Sequence, residues 1–175
     1  TLDHLPPEGA VSFENGHGHT KVPSIAVNLT AEDNLTSMEV RYAVGEGGWS
    51  EWLSFAPAPG ASAMSETIGF ADAVTDDGEY ELRVQYRDEA GNESDVYTRF
   101  LTYDTAPPYN LQVTMDPDED TFTKGPVAVT VSYSDNFSPG EETFEIHENG
   151  TKTLTVSDRA GNTASRSEER RVGKE

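Results

Sequence analysis

The chain has 175 residues, of which 34% are hydrophobic, and its 32 acidic against 12 basic side chains leave a formal net charge of −20. So acidic a surface excludes a nucleic-acid partner, which needs a basic face, and with it insertion into anionic lipid. No run of about 18 apolar residues could cross a bilayer as a helix, and the absence of cysteine removes disulfide staples and thiolate metal sites.

Two linkers resemble each other. Asp3-His4-Leu5-Pro6-Pro7 recurs as Asp104-Thr105-Ala106-Pro107-Pro108. A double proline cannot enter a central strand and stiffens the chain before it. Domain boundaries are therefore expected at both: residues 1–5 close a preceding linker, 6–103 form a first domain, 104–108 a linker and 109–165 a second domain.

Within the first domain, Val11 to Phe13 reads as a short strand and Gly16-His17-Gly18-His19 as a loop. Ile25, Val27, Leu29 and Ala31 alternate with polar or small residues, as a half-buried strand does. Met38, Val40, Tyr42 and Val44 mark another. Gly45 to Gly48 turns into a strand from Trp49 to Phe55, and Glu66 to Phe70 follows. Gly78 to Asn92 has the strongest period of two. Tyr80, Leu82, Val84 and Tyr86 face one way, and Glu79, Glu81, Arg83, Gln85 and Arg87 the other. It ends in Asp88-Glu89-Ala90-Gly91-Asn92, where Gly and Asn suit positive φ. Val96 to Tyr103 closes the domain. Tyr80, just past the Asp76-Asp77-Gly78 turn, is expected to bury its ring and bond backbone in that turn.

The second domain repeats the scheme in shorter form. Strands are expected at Leu111–Met115, Val127–Ser134, around Phe144 and Ile146, and at Leu154–Val156, with an acidic loop at 116–120 and a turn at Asn149-Gly150. The strand at Leu154 ends in Asp158-Arg159-Ala160-Gly161-Asn162, the same D-x-A-G-N device. Lys152 stands where Tyr80 stands in the first domain. Short strands separated by turn signals, without helical period, predict an all-β fold: two tandem β-sandwiches, the second shorter and, since the residues after Asn162 show no alternation, without its native last strand.

D-x-x-P-P, the Trp49-Ser50-Glu51-Trp52 segment, Asp77-Gly78-Glu79-Tyr80 and the repeated D-x-A-G-N resemble the bacterial Ig-like or fibronectin-III-like tandem repeats of large secreted and cell-surface proteins. That resemblance covers residues 1 to 165. It implies a non-enzymatic spacer or adhesion segment, extracellular or on a bacterial surface, whose partners are neighbouring modules of the same chain and a glycan, host or cell-wall surface. The alternative it leaves is a carbohydrate-binding accessory module beside a secreted polysaccharide-degrading enzyme; an enzyme fragment is a third class. The decapeptide Arg166 to Glu175, RSEERRVGKE, breaks the composition with four of the twelve basic residues. It resembles the translation of a common sequencing adapter and is expected to be a non-native tail that buries almost no side chain.

No cofactor is required by any motif. His17 and His19 lie two apart in a Gly-rich loop, without a signal for a third metal ligand. Calcium takes clusters of oxygen ligands, and Asp33, Asp88, Glu89 and Asp104 are expected to converge where the loops of the first domain meet the linker that follows it. Asp135, Asn136 and Asp158 are the analogous set in the second. The competing reading is that Asp88 and Asp158 simply cap their turns by accepting backbone N–H bonds. Trp49 and Trp52, three apart, should point to opposite faces of an undistorted strand, so that one packs inside and one is exposed; the exposed one is the candidate sugar platform. Gly91, Asn92, Gly161 and Asn162 are structural turn residues.

Overall fold

The alternation in residues 24–32 becomes a strand in which Ile25, Val27, Leu29 and Ala31 are all buried while the residues between them stay partly exposed. In the structure, a computed structural model that describes residues 3–34, 37–59, 61–117, 125–148 and 150–170, no helix occurs among the described residues. The chain divides into two units, residues 1–104 and 105–175.

The first unit holds β1 (Glu8–Phe13), β2 (His19–Thr20), β3 (Ser24–Glu32), β4 (Met38–Val44), β5 (Leu53–Phe55), β6 (Ala63–Gly69), β7 (Gly78–Asp88) and β8 (Tyr97–Tyr103). They form two sheets, β1-β3-β6 and β2-β8-β7-β4-β5. Every pairing is antiparallel except β2 with β8. Val11, Val27, Leu29 and Ile68 from one sheet meet Val40, Leu82, Val84, Tyr86 and Leu101 from the other in one core. Fully burying a side chain of this kind stabilises by about 1.5–3 kcal/mol. Tyr86 links the sheets: its hydroxyl donates to the Ala10 carbonyl at 2.7 Å, and Phe55 and Tyr97 pack edge-on against its ring at 5.6 and 5.9 Å. Burial, with the nearby Tyr97 phenol, pushes its hydroxyl pKa far above the usual range, so it remains a donor.

Two readings of this unit change. Residues 49–52 are irregular, and the strand begins only at Leu53. His19, read as the end of a loop, instead opens the two-residue strand β2, whose Thr20 is buried and donates its hydroxyl to the carbonyls of Val22 and Ser24.

The second unit holds β9 (Tyr109–Asp116), β10 (Val127–Ser134), β11 (Gly140–Ile146), β12 (Gly150–Ser157) and β13 (Thr163–Arg170), in sheets β11-β10-β9 and β12-β13. Its core is small: Val127, Val129, Val131, Ile146, Leu154 and Val156. By its D-x-A-G-N ending β12 corresponds to β7, yet among the described residues it pairs on one side only, with β13. β13 runs in register with β12 from Thr163 to Arg170, across the boundary expected at residue 165. Of its side chains Ala164 packs against the core; the others described are exposed or half-buried. Asn149, most of the acidic 116–120 loop and the tail from residue 171 lie outside the described residues.

Gly9 on β1 is held by contact. A Cβ there would lie 2.7 Å from Tyr86 Cδ2 and 2.8 Å from the Thr30 carbonyl oxygen. Gly9→Ala is therefore expected to destabilise the first unit by about 1–3 kcal/mol through overpacking. Calorimetry should read this as a fall in Tm of about 4–8 °C per kcal/mol.

Candidate functional site

At one end of the first unit the turn after β3 meets the turn after β7. The second turn is built by Asp88: its Oδ1 accepts the Asn92 N–H at 2.8 Å and its Oδ2 accepts the Asn92 amide at 2.7 Å. Gly91 takes φ 89°, a conformation that a β-carbon disfavours. Asp158 repeats this in the second unit, with Asn162 bonds at 2.9 Å from N–H and amide alike and Gly161 at φ 88°. Burial acts to raise the Asp88 carboxyl pKa, but the bonds from the Asn92 side chain and from the backbone of Asn92, Ala90 and Gly91 outweigh it and hold the pKa below the usual carboxylate value.

Asp33 and Asp88 come together, and Asp3 joins them, with one carboxylate oxygen of each within 4.8 Å of the others. Asp3 Oδ1 accepts the Leu5 N–H at 3.0 Å, and the Asn92 amide reaches the Asp3 carbonyl at 3.4 Å. Beside the cluster lies a groove of about 520 Å³ whose lining includes Glu8, Glu32, Asp33, Glu93, Asp95 and Tyr97. Two residues of the expected set do not take part. Glu89 is exposed on the turn. Asp104 is buried at the other end of the sheet, because Tyr103 pairs with Gly78 at the start of β7 while Asp88 ends it; ten residues of strand span about 33 Å. The first unit thus uses the linker aspartate that precedes it, and the signal was present in the repeated D-x-x-P-P.

Trp49 and Trp52 do not point to opposite faces. With residues 49–52 outside any strand, the period of two does not apply, and both indoles are half-buried against the same arginine. The Arg41 guanidinium lies 4.8 Å from the centre of the Trp49 ring and 4.4 Å from that of Trp52. Arg83 lies 5.4 Å from Trp49 and Arg87 4.3 Å from Trp52. Each arginine is held in turn: Arg41 by Gln85 and Glu93, Arg87 by Glu39, and Arg83 by the carbonyls of Gly45 and Gly47. The outward arginines 83 and 87, four apart on β7, were readable as neighbours on one face; their Trp partners were not.

No protein-family model matches the chain, and no curated protein matches it. Among solved structures, the fibronectin(III)-like modules of Clostridium thermocellum CbhA are similar, with 13% identity over 93% of each chain and a TM-score of 0.50. The chain is fibronectin(III)-like in fold. At this identity the likeness concerns the fold alone.

The Tyr80 hydroxyl donates to the Asp76 carbonyl at 2.8 Å, while its ring is half-buried rather than buried. His17 and His19 stack edge-to-face at 5.5 Å, with His17 Nδ1 accepting the His19 N–H at 3.2 Å. Neither joins a three-ligand group among the described residues. Asn136 is exposed, beside buried Asp135.

Two measurements check this geometry. Tyr80→Phe should lower the stability of the first unit by about 0.5–1.5 kcal/mol, the worth of one hydrogen bond; a Tm equal to the parent's overturns the role given to its hydroxyl at the turn. Because the folded pKa of Asp88 is depressed, its stabilisation is complete above the unfolded value of about 3.9 and is lost as pH falls through the folded value. Asp88→Asn should therefore flatten the acid limb of the unfolding curve below about pH 4.

Proposed function

We propose that the chain is a non-catalytic pair of Ig-like modules serving as spacer or adhesion repeats in a larger bacterial protein, outside the cell or on its surface. The fibronectin(III)-like fold of a bacterial neighbour supports the module class. The doubled D-x-x-P-P and D-x-A-G-N motifs support the tandem arrangement. The partners in this reading are neighbouring modules of the same chain and a host or cell-wall surface. The adapter-like 166–175 segment is read as foreign to the second module, in keeping with the exposed side chains of Ser165, Arg166, Ser167 and Glu169.

The observation that carries the spacer reading over the carbohydrate-binding one is the Trp–Arg ladder. A sugar stacks on a free indole face, and here each indole has two guanidinium groups over its ring. The stack, together with the Ser50–Tyr42 hydrogen bonds, ties β4 and β7 to the irregular 49–52 segment. Each cation–π contact at a partly exposed site contributes about 0.5–1 kcal/mol, so Trp52→Ala should cost about 1–2 kcal/mol in stability. The parent should be retained by neither cellulose nor chitin and bind no member of a glycan array. Glycan binding abolished by Trp52→Ala with an unchanged Tm favours the accessory-module reading instead.

A further inference from the structure

The second unit lacks two strands that the first unit has. In the first unit β4 and β5 lie between β3 and β6, and β4 pairs with β7. In the second unit residues 135–139 alone separate β10 from β11. β12 therefore has no counterpart of β4, and among the described residues its second edge is unpaired.

The direction of the backbone at that edge follows from the turn. The Asp158 N–H donates to the Asn162 carbonyl at 3.1 Å, on the β13 side. Peptide groups alternate in direction along an antiparallel ladder, and β12 meets β13 without a register shift. Lys152, Leu154 and Val156 thus bond to β13, while Thr151, Thr153, Thr155 and Ser157 turn their N–H and C=O groups to the open edge. Side chains close one end of it: the Ser157 N–H donates to Glu142 Oε1 at 2.8 Å, and the Ser157 carbonyl accepts the Tyr133 hydroxyl at 2.7 Å. Thr151, Thr153 and Thr155 are exposed and have no such cap among the described residues.

A row of unpaired N–H and C=O groups is a template for another strand. Charge and symmetry select which strand. Residues 150–157 contain no acid, in a chain with 32, and one base, Lys152. The edges at β11 and β13 carry Glu141, Glu142 and Glu145, and Glu168 and Glu169. A chain of net charge −20 therefore meets its own copy with least repulsion along β12. Antiparallel pairing about a two-fold axis at Thr153 sets Thr151 against Thr155 of the second copy, so the outward groups of all three threonines find partners. It sets Lys152 against Leu154 of the second copy, so that the two lysines do not stand opposite each other.

We propose that β12 is the pairing edge of a homodimer. Two copies join their β12 strands antiparallel about Thr153, making one continuous sheet β13-β12-β12-β13. Each copy thereby fills, for the other, the place that β4 takes beside β7, and in the same antiparallel sense. The inference goes beyond the spacer reading and does not rest on it.

The test is sedimentation velocity of the full chain over a concentration series, with amide exchange read by NMR at both ends of the series. A monomer–dimer equilibrium is expected, tightened by added salt because screening lowers the repulsion between like-charged copies. On dimerisation the amides of Thr151, Thr153 and Thr155 should gain protection, while those of Lys152 and Leu154, already bonded to β13, change little. Thr153→Pro removes a central outward N–H that the pairing with β13 does not use, and should weaken the dimer by roughly tenfold or more with the circular-dichroism spectrum preserved. Thr153→Glu and Thr153→Lys each set like charges opposite one another at the axis. Each alone should weaken the dimer, and their equimolar mixture should restore it; this pair decides even if Thr153→Pro does not fold. A chain that stays monomeric up to about 1 mM overturns the proposal and leaves the edge to a foreign strand. A dimer that none of the three substitutions weakens overturns it as well, because it is then formed elsewhere.

Discussion

The first unit depends on one strand being satisfied on three sides at once. β7 is paired along one edge with β4 and along the other with β8, and its inner face buries Leu82, Val84 and Tyr86 completely. Backbone pairing removes the desolvation penalty of its N–H and C=O groups, and the apolar face supplies the burial. The Tyr86 hydroxyl alone would be costly inside such a core, and its bond to the Ala10 carbonyl offsets that cost while tying β1 to the opposite sheet. Gly9 follows from the same packing, since the ring occupies the space a larger residue needs. The second unit shows the contrast: β12 is paired on one edge among the described residues, and its partner β13 brings only Ala164 to the core.

The outer face of the same strand is used differently. Arg83 and Arg87 reach across to the two indoles, and Arg41 of β4 stands between them. A strand whose inner residues make the core and whose outer residues fix an irregular segment leaves little of its length for a ligand. The turn that ends it, Asp88 to Asn92, is where the negative charge of the chain comes into register with the entering segment and the turn after β3. Structure along β7 thus runs from cation–π contacts on the outer face to carboxylates at its end.

Much of the fold was legible because period-two burial is a local property. The bounds of β4, Met38 to Val44, and of β10, Val127 to Ser134, coincide with the expected strands, β3 runs one residue further, to Glu32, and β7 ends at Asp88, where its turn was expected to begin. The D-x-A-G-N turns were legible because Asp and Gly each have a local reason to be there. What was not legible depended on chain geometry over longer range. Trp49 and Trp52 carry a strand-like spacing, but the backbone at 49–52 makes no ladder, so side-chain direction comes from the arginines they pack against. Asp104 and Asp3 have equivalent sequence settings, and only the antiparallel course of β7 and β8 determines that Asp3 reaches Asp88 while Asp104 lies at the far end. β13 pairs through its backbone and through hydroxyl contacts of Ser165 and Ser167 with Thr155 and Thr153, which its polar sequence, without alternation of apolar residues, did not announce.

Buried, doubly paired β7 holds the first unit together, while β12 and β13 form the weakly anchored part of the second. Native-state hydrogen exchange resolved strand by strand tests it most directly, since amides opened only by global unfolding exchange slowest. Amides of residues 82–86 in β7 and of the core of β3 should be the slowest in the chain, and those of β13 should exchange orders of magnitude faster. Protection in β13 equal to that in β7, or β7 exchanging ahead of β1 and β6, would contradict it.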